Sequence, residues 1–158
     1  MIVALPAVAD TEQLGAALAS SAPRSATDAL VVYLEGELGS GKTTLARGLL
    51  RQLGVTGTIR SPTYTLLESY ESKGWLVTHI DLYRLAGPGE LESLGLREQL
   101  NAGALVLVEW PERATQALPH PDLRIALSFV QEGRAADLRA ESQEGSRWLT
   151  AAAELFQK

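Results

Sequence analysis

The chain has 158 residues, 46% hydrophobic and 21% charged, which suits a globular protein with one sizeable core. Nineteen Asp and Glu against 14 Lys and Arg give a net charge of −5, which argues against strong direct binding of DNA or RNA by this chain. There are no cysteines, so disulfides, thiol catalysis and thiolate metal sites are excluded.

No apolar run approaches the ~20 residues of a membrane span. Met1–Pro6 has neither the basic region nor the long apolar stretch of a signal peptide. A cytoplasmic protein without membrane contact is expected. Residues 2–5 read as a short edge strand closed by Pro6. Asp10 or Thr11 is the expected N-cap of a helix carrying Leu14, Ala17 and Leu18 on one face, and Ser20–Asp28 reads as the loop that ends it.

The run Ala29–Glu35 is apolar, β-branched and aromatic, so it is expected to form a buried strand. Leu45, Leu49, Leu50 and Leu53 recur at helical spacing. Between strand and helix lies Gly36-Glu37-Leu38-Gly39-Ser40-Gly41-Lys42-Thr43-Thr44, the G-x-x-x-x-G-K-T phosphate-loop pattern in the strand–loop–helix context it requires. The glycines let the backbone approach a polyphosphate closely. The loop amides and the helix N-terminus supply an anion nest, Lys42 a charge for the β- and γ-phosphates, and the Thr43 hydroxyl a ligand for Mg²⁺.

Gly54 and Gly57 flank the helix exit. Ser61–Tyr70 reads as a turn feeding a strand, Lys73-Gly74 as a hairpin turn, and Trp75–Arg84 as the next strand. Gly87-Pro88-Gly89 is expected to break the chain before a helix over Glu90–Leu100, with Gly95 its weak point. Ala104–Trp110 is a second strongly buried strand, stopped by Pro111. Leu123–Val130 and Ala135–Ala140 form a hairpin across Gly133, and Ser146–Phe156 closes the chain as a helix with Trp148, Leu149, Ala152, Leu155 and Phe156 on one side. The pattern predicts an α/β fold of the P-loop NTPase type: a single domain over 1–158 with a mixed, mostly parallel central sheet flanked by helices.

A phosphate loop needs an acid at the end of a neighbouring strand to serve Mg²⁺. Glu109 and Asp81 both qualify by position. Thr63 lies where a switch segment would sense the γ-phosphate. His79 reads as structural, and Trp110 as a packing aromatic or a gate over the site. Arg84 and Arg134 lie near strand ends, where either is in range of a phosphate or the base.

These residues carry a family resemblance. The phosphate loop with Arg47-Gly48, Ser61-Pro62-Thr63-Tyr64-Thr65, His79-Ile80-Asp81-Leu82-Tyr83-Arg84-Leu85, Leu94-Gly95-Leu96 and Val108-Glu109-Trp110-Pro111-Glu112 together resemble the bacterial TsaE (YjeE) family. Thr11 with Leu14-Gly15, and Gly133-Arg134, resemble weaker family positions. Glu37 and Ser40 stand where the family often has Asp and Ala. The resemblance implies a Mg²⁺-dependent ATPase, weak alone, of the machinery that makes threonylcarbamoyladenosine in tRNA beside the anticodon. It implies action with a TsaB–TsaD heterodimer, with tRNA met only through the complex. It also implies that Lys42 and the loop amides hold phosphates, that Thr43 and Glu109 hold Mg²⁺, that Asp81 and Thr63 serve catalysis or switching, and that Thr11 and Arg134 line the adenine side.

Read from the residues alone, a small P-loop kinase acting on a small-molecule acceptor and a nucleotide-controlled binding module remain alternatives. The chain lacks an Asn-Lys-x-Asp guanine motif, which argues against GTP.

Overall fold

The computed structural model describes residues 1–24 and 26–156. One seven-stranded sheet runs through it, made of β1 (Ile2–Leu5), β2 (Leu30–Glu35), β3 (Leu67–Ser72), β4 (Trp75–Asp81), β5 (Ala104–Glu109), β6 (Leu123–Phe129) and β7 (Arg134–Ala140), in the order β1-β7-β6-β2-β5-β4-β3. The four central strands β6, β2, β5 and β4 are mutually parallel, and antiparallel partners close both margins. The sheet is therefore mixed, with a parallel centre, as the sequence pattern predicts.

Side-chain alternation splits the core between the two faces of the sheet. Leu30, Val32 and Leu34 of β2, with Leu105 and Leu107 of β5, pack under α1 (Val8–Ser21), α2 (Lys42–Gln52) and α4 (Gln143–Phe156). Val31, Tyr33, Val106 and Val108 face the other way, toward Leu91 of the short α3 (Pro88–Ser93) and Leu96 of a 3-10 turn. The helices α1 and α2 approach unusually closely: a Cβ on Gly15 would lie 2.2 Å from the Leu45 carbonyl oxygen, and one on Gly48 2.2 Å from that of Glu12. This contact brings the first turn of α1 to the mouth of the phosphate loop.

Several boundaries differ from the sequence reading. The α1 helix starts earlier than a cap at Asp10 or Thr11 allows. Ala7 occupies the N-cap, Asp10 accepts its N–H from inside the first turn at 2.8 Å, and Thr11 is buried. The helix also runs on through Ser21, so only the later part of the Ser20–Asp28 loop remains, with Ser25 outside the described residues. The β4 strand stops at Asp81 rather than Arg84. Pro88 does not break the chain but opens α3 from its first turn, where its missing N–H is no loss. The helix expected over Glu90–Leu100 is divided. It halts at Ser93, Gly95 takes φ 72°, and Leu96–Gln99 continues as the 3-10 turn. The α4 helix begins at Gln143, where the Ser142 hydroxyl accepts the Gly145 N–H at 2.9 Å, and Leu155 is 44% exposed rather than buried.

Candidate functional site

The carboxyl ends of β2, β4 and β5 meet at one edge of the sheet, the place where parallel α/β sheets bind ligands. The Gly36–Thr44 loop leaves β2 there. Gly36, Gly39 and Gly41 all have positive φ, and Gly41, at φ 109°, is the N-cap of α2. The resulting cleft has a volume of about 510 Å³.

Most residues singled out from the sequence line this cleft. Leu38, Gly39, Gly41, Lys42, Thr43 and Thr44 come from the loop and the start of α2, Thr11 from α1, Thr63 from the segment after α2, Asp81 and Glu109 from the strand ends, and Arg134 from the start of β7. Gly36, Glu37 and Ser40 are not among its lining residues. The carbonyls of Gly36 and Glu37 accept hydrogen bonds from Lys42 Nζ at 2.6 and 2.9 Å. Ser40 is fully buried, and its Oγ has no hydrogen-bond partner among the described residues.

Lys42 Nζ also lies 4.1 Å from the centre of the Trp110 ring. Burial pushes its pKa below the ordinary lysine value, and the charges of Glu109, Asp81 and Glu112 only partly oppose this. The ammonium is thus held by exchangeable carbonyls and an aromatic face rather than by a salt bridge, so it is available to an incoming anion.

The two strand-end carboxylates have different surroundings. Glu109 is buried, and Thr43 Oγ1 donates toward both of its oxygens, at 3.0 Å to Oε1 and 3.2 Å to Oε2. Its Oε2 also lies 2.7 Å from His79 Nε2. Asp81 is likewise buried. Its Oδ1 accepts the Tyr83 N–H at 2.9 Å, and its Oδ2 accepts the Ser61 hydroxyl at 2.8 Å and the Thr63 hydroxyl at 3.2 Å. Ser61 and Thr63 Oγ atoms are themselves 2.9 Å apart, which closes a triangle of polar groups.

Mg²⁺ prefers hard oxygen ligands and keeps several waters, so a hydroxyl and one carboxylate suffice beside phosphate oxygens. Thr43 Oγ1 and Glu109 are such a pair, already in contact. No cluster of three or more His, Cys, Asp or Glu able to hold a metal occurs among the described residues. A hydroxyl and one carboxylate suit a cation that arrives with its nucleotide.

On the opposite wall, Arg134 donates to the Gly39 carbonyl at 3.0 Å and stacks over Phe129. Thr11 Cγ2 and Arg134 Cδ both pack near Gly41, each 3.5 Å from where a Cβ would stand. Arg84 lies over the exposed Tyr64 ring at 4.5 Å. Trp110 is half-buried, packs at a tilt against the Tyr83 ring with centroids 5.1 Å apart, and adopts φ 59°, rare for a bulky residue outside functional sites. It therefore lines the cleft as well as packing.

Sequence reasoning missed the roles of Ser61, Tyr83 and His79 around the acids. His79, read as structural, is fully buried against Glu109. The available signal was the two-residue strand period, which puts His79 and Asp81 on one face of β4. The missing information was the register that sets Asp81 opposite Glu109.

Comparison with known proteins gives the chain's family and a fold neighbour. The family model described as "Threonylcarbamoyl adenosine biosynthesis protein TsaE" matches residues 5–136. A Haemophilus influenzae protein named tRNA threonylcarbamoyladenosine biosynthesis protein TsaE is 42% identical over 123 residues, 78% of this chain and 78% of its own length. A Rickettsia felis protein of the same name is 37% identical over 73% of this chain and 68% of its own. The crystal structure of YdiB from Bacillus subtilis superposes with a TM-score of 0.69 at 25% identity, covering 99% of this chain and 93% of that one.

Proposed function

The chain belongs to the TsaE family, and from that premise we propose that it binds and hydrolyses ATP in the synthesis of threonylcarbamoyladenosine in tRNA. It acts as a single cytoplasmic domain with a TsaB–TsaD heterodimer and meets tRNA only through that complex. Among the described residues no helix is long and apolar enough to cross a membrane. The observation that carries the reading is the convergence of Lys42, Thr43 and Glu109 beside a loop of positive-φ glycines.

In this reading Lys42 exchanges the Gly36 and Glu37 carbonyls for phosphate oxygens, while the loop amides hold the remaining phosphate charge. Bound Mg²⁺ supplies charge neutralisation at the phosphates, and Thr43 and Glu109 are the residues that would hold it. Asp81 orients the attacking water and receives its proton. Ser61 and Thr63 both hold its Oδ2, so these hydroxyls couple the loop after α2 to hydrolysis. While Asp81 stays engaged in this way, turnover by the chain alone is expected to be slow. Trp110 and Arg84 line the cleft beside the phosphate site, and Thr11 and Arg134 face the base.

The test is ATP hydrolysis with Mg²⁺ by the chain alone and with a purified TsaB–TsaD pair. Slow turnover that rises with the pair is expected. No response to the pair, with turnover rising on a small-molecule acceptor instead, overturns the reading in favour of a kinase.

A further inference from the structure

His79 has no part in the proposed hydrolysis, yet it is fully buried, and its Nε2 lies 2.7 Å from Oε2 of the buried Glu109. A carboxylate only accepts, so Nε2 carries the hydrogen and donates. The other ring nitrogen, Nδ1, is buried without a hydrogen-bond partner among the described residues. The imidazole is therefore committed to a single polar contact. We infer that His79 is a positioning residue that fixes the Glu109 carboxylate for Mg²⁺ binding. The inference rests on the nucleotide reading above.

The geometry supports this over simple core filling. Glu109 is the last residue of β5, and its side chain has three rotatable bonds. Two elements hold its carboxylate: Thr43 from α2 and His79 from the neighbouring parallel strand β4. The Thr43 contact is provisional, because it joins the two groups that would both serve the cation. The His79 contact uses a ring nitrogen that such service leaves undisturbed. It comes from a rigid ring inside the sheet, where the register that pairs Asp81 with Glu109 sets its distance. Outer-shell partners of this kind orient metal-ligating carboxylates, and losing one weakens metal affinity by roughly 10- to 100-fold.

The test measures ATP affinity by calorimetry across a Mg²⁺ series, and in EDTA, for the full-length chain and for His79→Leu and His79→Gln. The glutamine amide places a donor near the lost Nε2, whereas leucine offers none. The Mg²⁺ midpoint is expected to rise roughly 10- to 100-fold for His79→Leu. It should return to within about threefold of the parent for His79→Gln, and affinity in EDTA should be unchanged. Thermal melting reports whether each variant folds. If His79→Leu does not, His79→Asn replaces it, since its amide is too short to reach Oε2. A midpoint that stays at the parent value in the folded donor-less variant overturns the inference, as does an equal shift in His79→Gln. A parent chain that binds no ATP in either condition would instead break the nucleotide reading itself.

Discussion

Asp81 and Glu109 end neighbouring strands directly opposite each other, and both are buried, yet they are held in different ways. Glu109 is gripped by Thr43 at the start of α2 and by His79 inside β4, both parts of the scaffold. Asp81 is gripped by Ser61 and Thr63, which lie in the irregular segment between α2 and β3, and by the Tyr83 amide just beyond its own strand. A rigidly held carboxylate suits a ligand whose place must not change. A carboxylate capped by loop hydroxyls suits a group whose availability is controlled by that loop. The same residue class at the same register position is divided into two roles by what holds it.

The largest effect that separates the two acids is expected at Asp81. Asp81→Asn should lower Mg²⁺-dependent turnover by roughly 10²- to 10⁴-fold, the range for loss of a positioned base. ATP affinity should stay nearly constant, as checked by single-turnover kinetics beside calorimetry. A large loss of affinity instead would erase the distinction from Glu109.

Lys42, at the start of α2, lines the same cleft as both acids. Lys42→Ala should cost about 1.5–3 kcal/mol of nucleotide affinity, the value of a charge-assisted contact. Unchanged affinity would remove the phosphate-loop assignment. Because burial holds the free Lys42 pKa below the ordinary lysine value, phosphate affinity should fall as pH rises, starting below the ordinary lysine range. The sign follows from the ammonium being the phosphate-binding form. An affinity that stays level until the ordinary range would contradict its desolvation.

Glu109→Ala leaves His79 Nε2 and Thr43 Oγ1 without their acceptor, so it should destabilise the fold by about 1–3 kcal/mol in denaturant unfolding and remove the Mg²⁺-dependent part of ATP affinity. The smallest effect is expected at Ser61. Ser61→Ala removes one of three groups on Asp81, costs about 0.5–1.5 kcal/mol of stability and, by leaving Oδ2 to Thr63 alone, should raise rather than lower basal turnover. A fall in basal turnover would show that Ser61 assists Asp81 instead of restraining it.

Much of this arrangement was legible in the sequence. The phosphate loop was plain because its glycines, Lys42 and Thr43 sit between a buried β-branched run and a helical leucine period. Asp81 and Glu109 were plain as acids ending apolar strands. Helix boundaries were less so: α1 starts on Ala7, which carries no capping side chain, because Asp10 reaches back to it from the next turn. The Gly95 break was anticipated, but the 3-10 continuation depends on Leu96 finding the core beneath α3. Leu155 follows the helical period of α4 yet is 44% exposed, while Trp148 and Ala152 are buried in the core and Leu149 and Phe156 pack against it. The His79–Glu109 pair stayed hidden because strand alternation gives the face but not the register between strands distant in sequence.

The central claim is the division of labour between the two acids. It is tested most directly by calorimetric ATP affinity with Mg²⁺ and in EDTA for Glu109→Ala and Asp81→Asn side by side. The account predicts that the Asp81 variant keeps the Mg²⁺-dependent gain in affinity and the Glu109 variant loses it. The reverse pattern, with the gain lost at Asp81 and kept at Glu109, would contradict it.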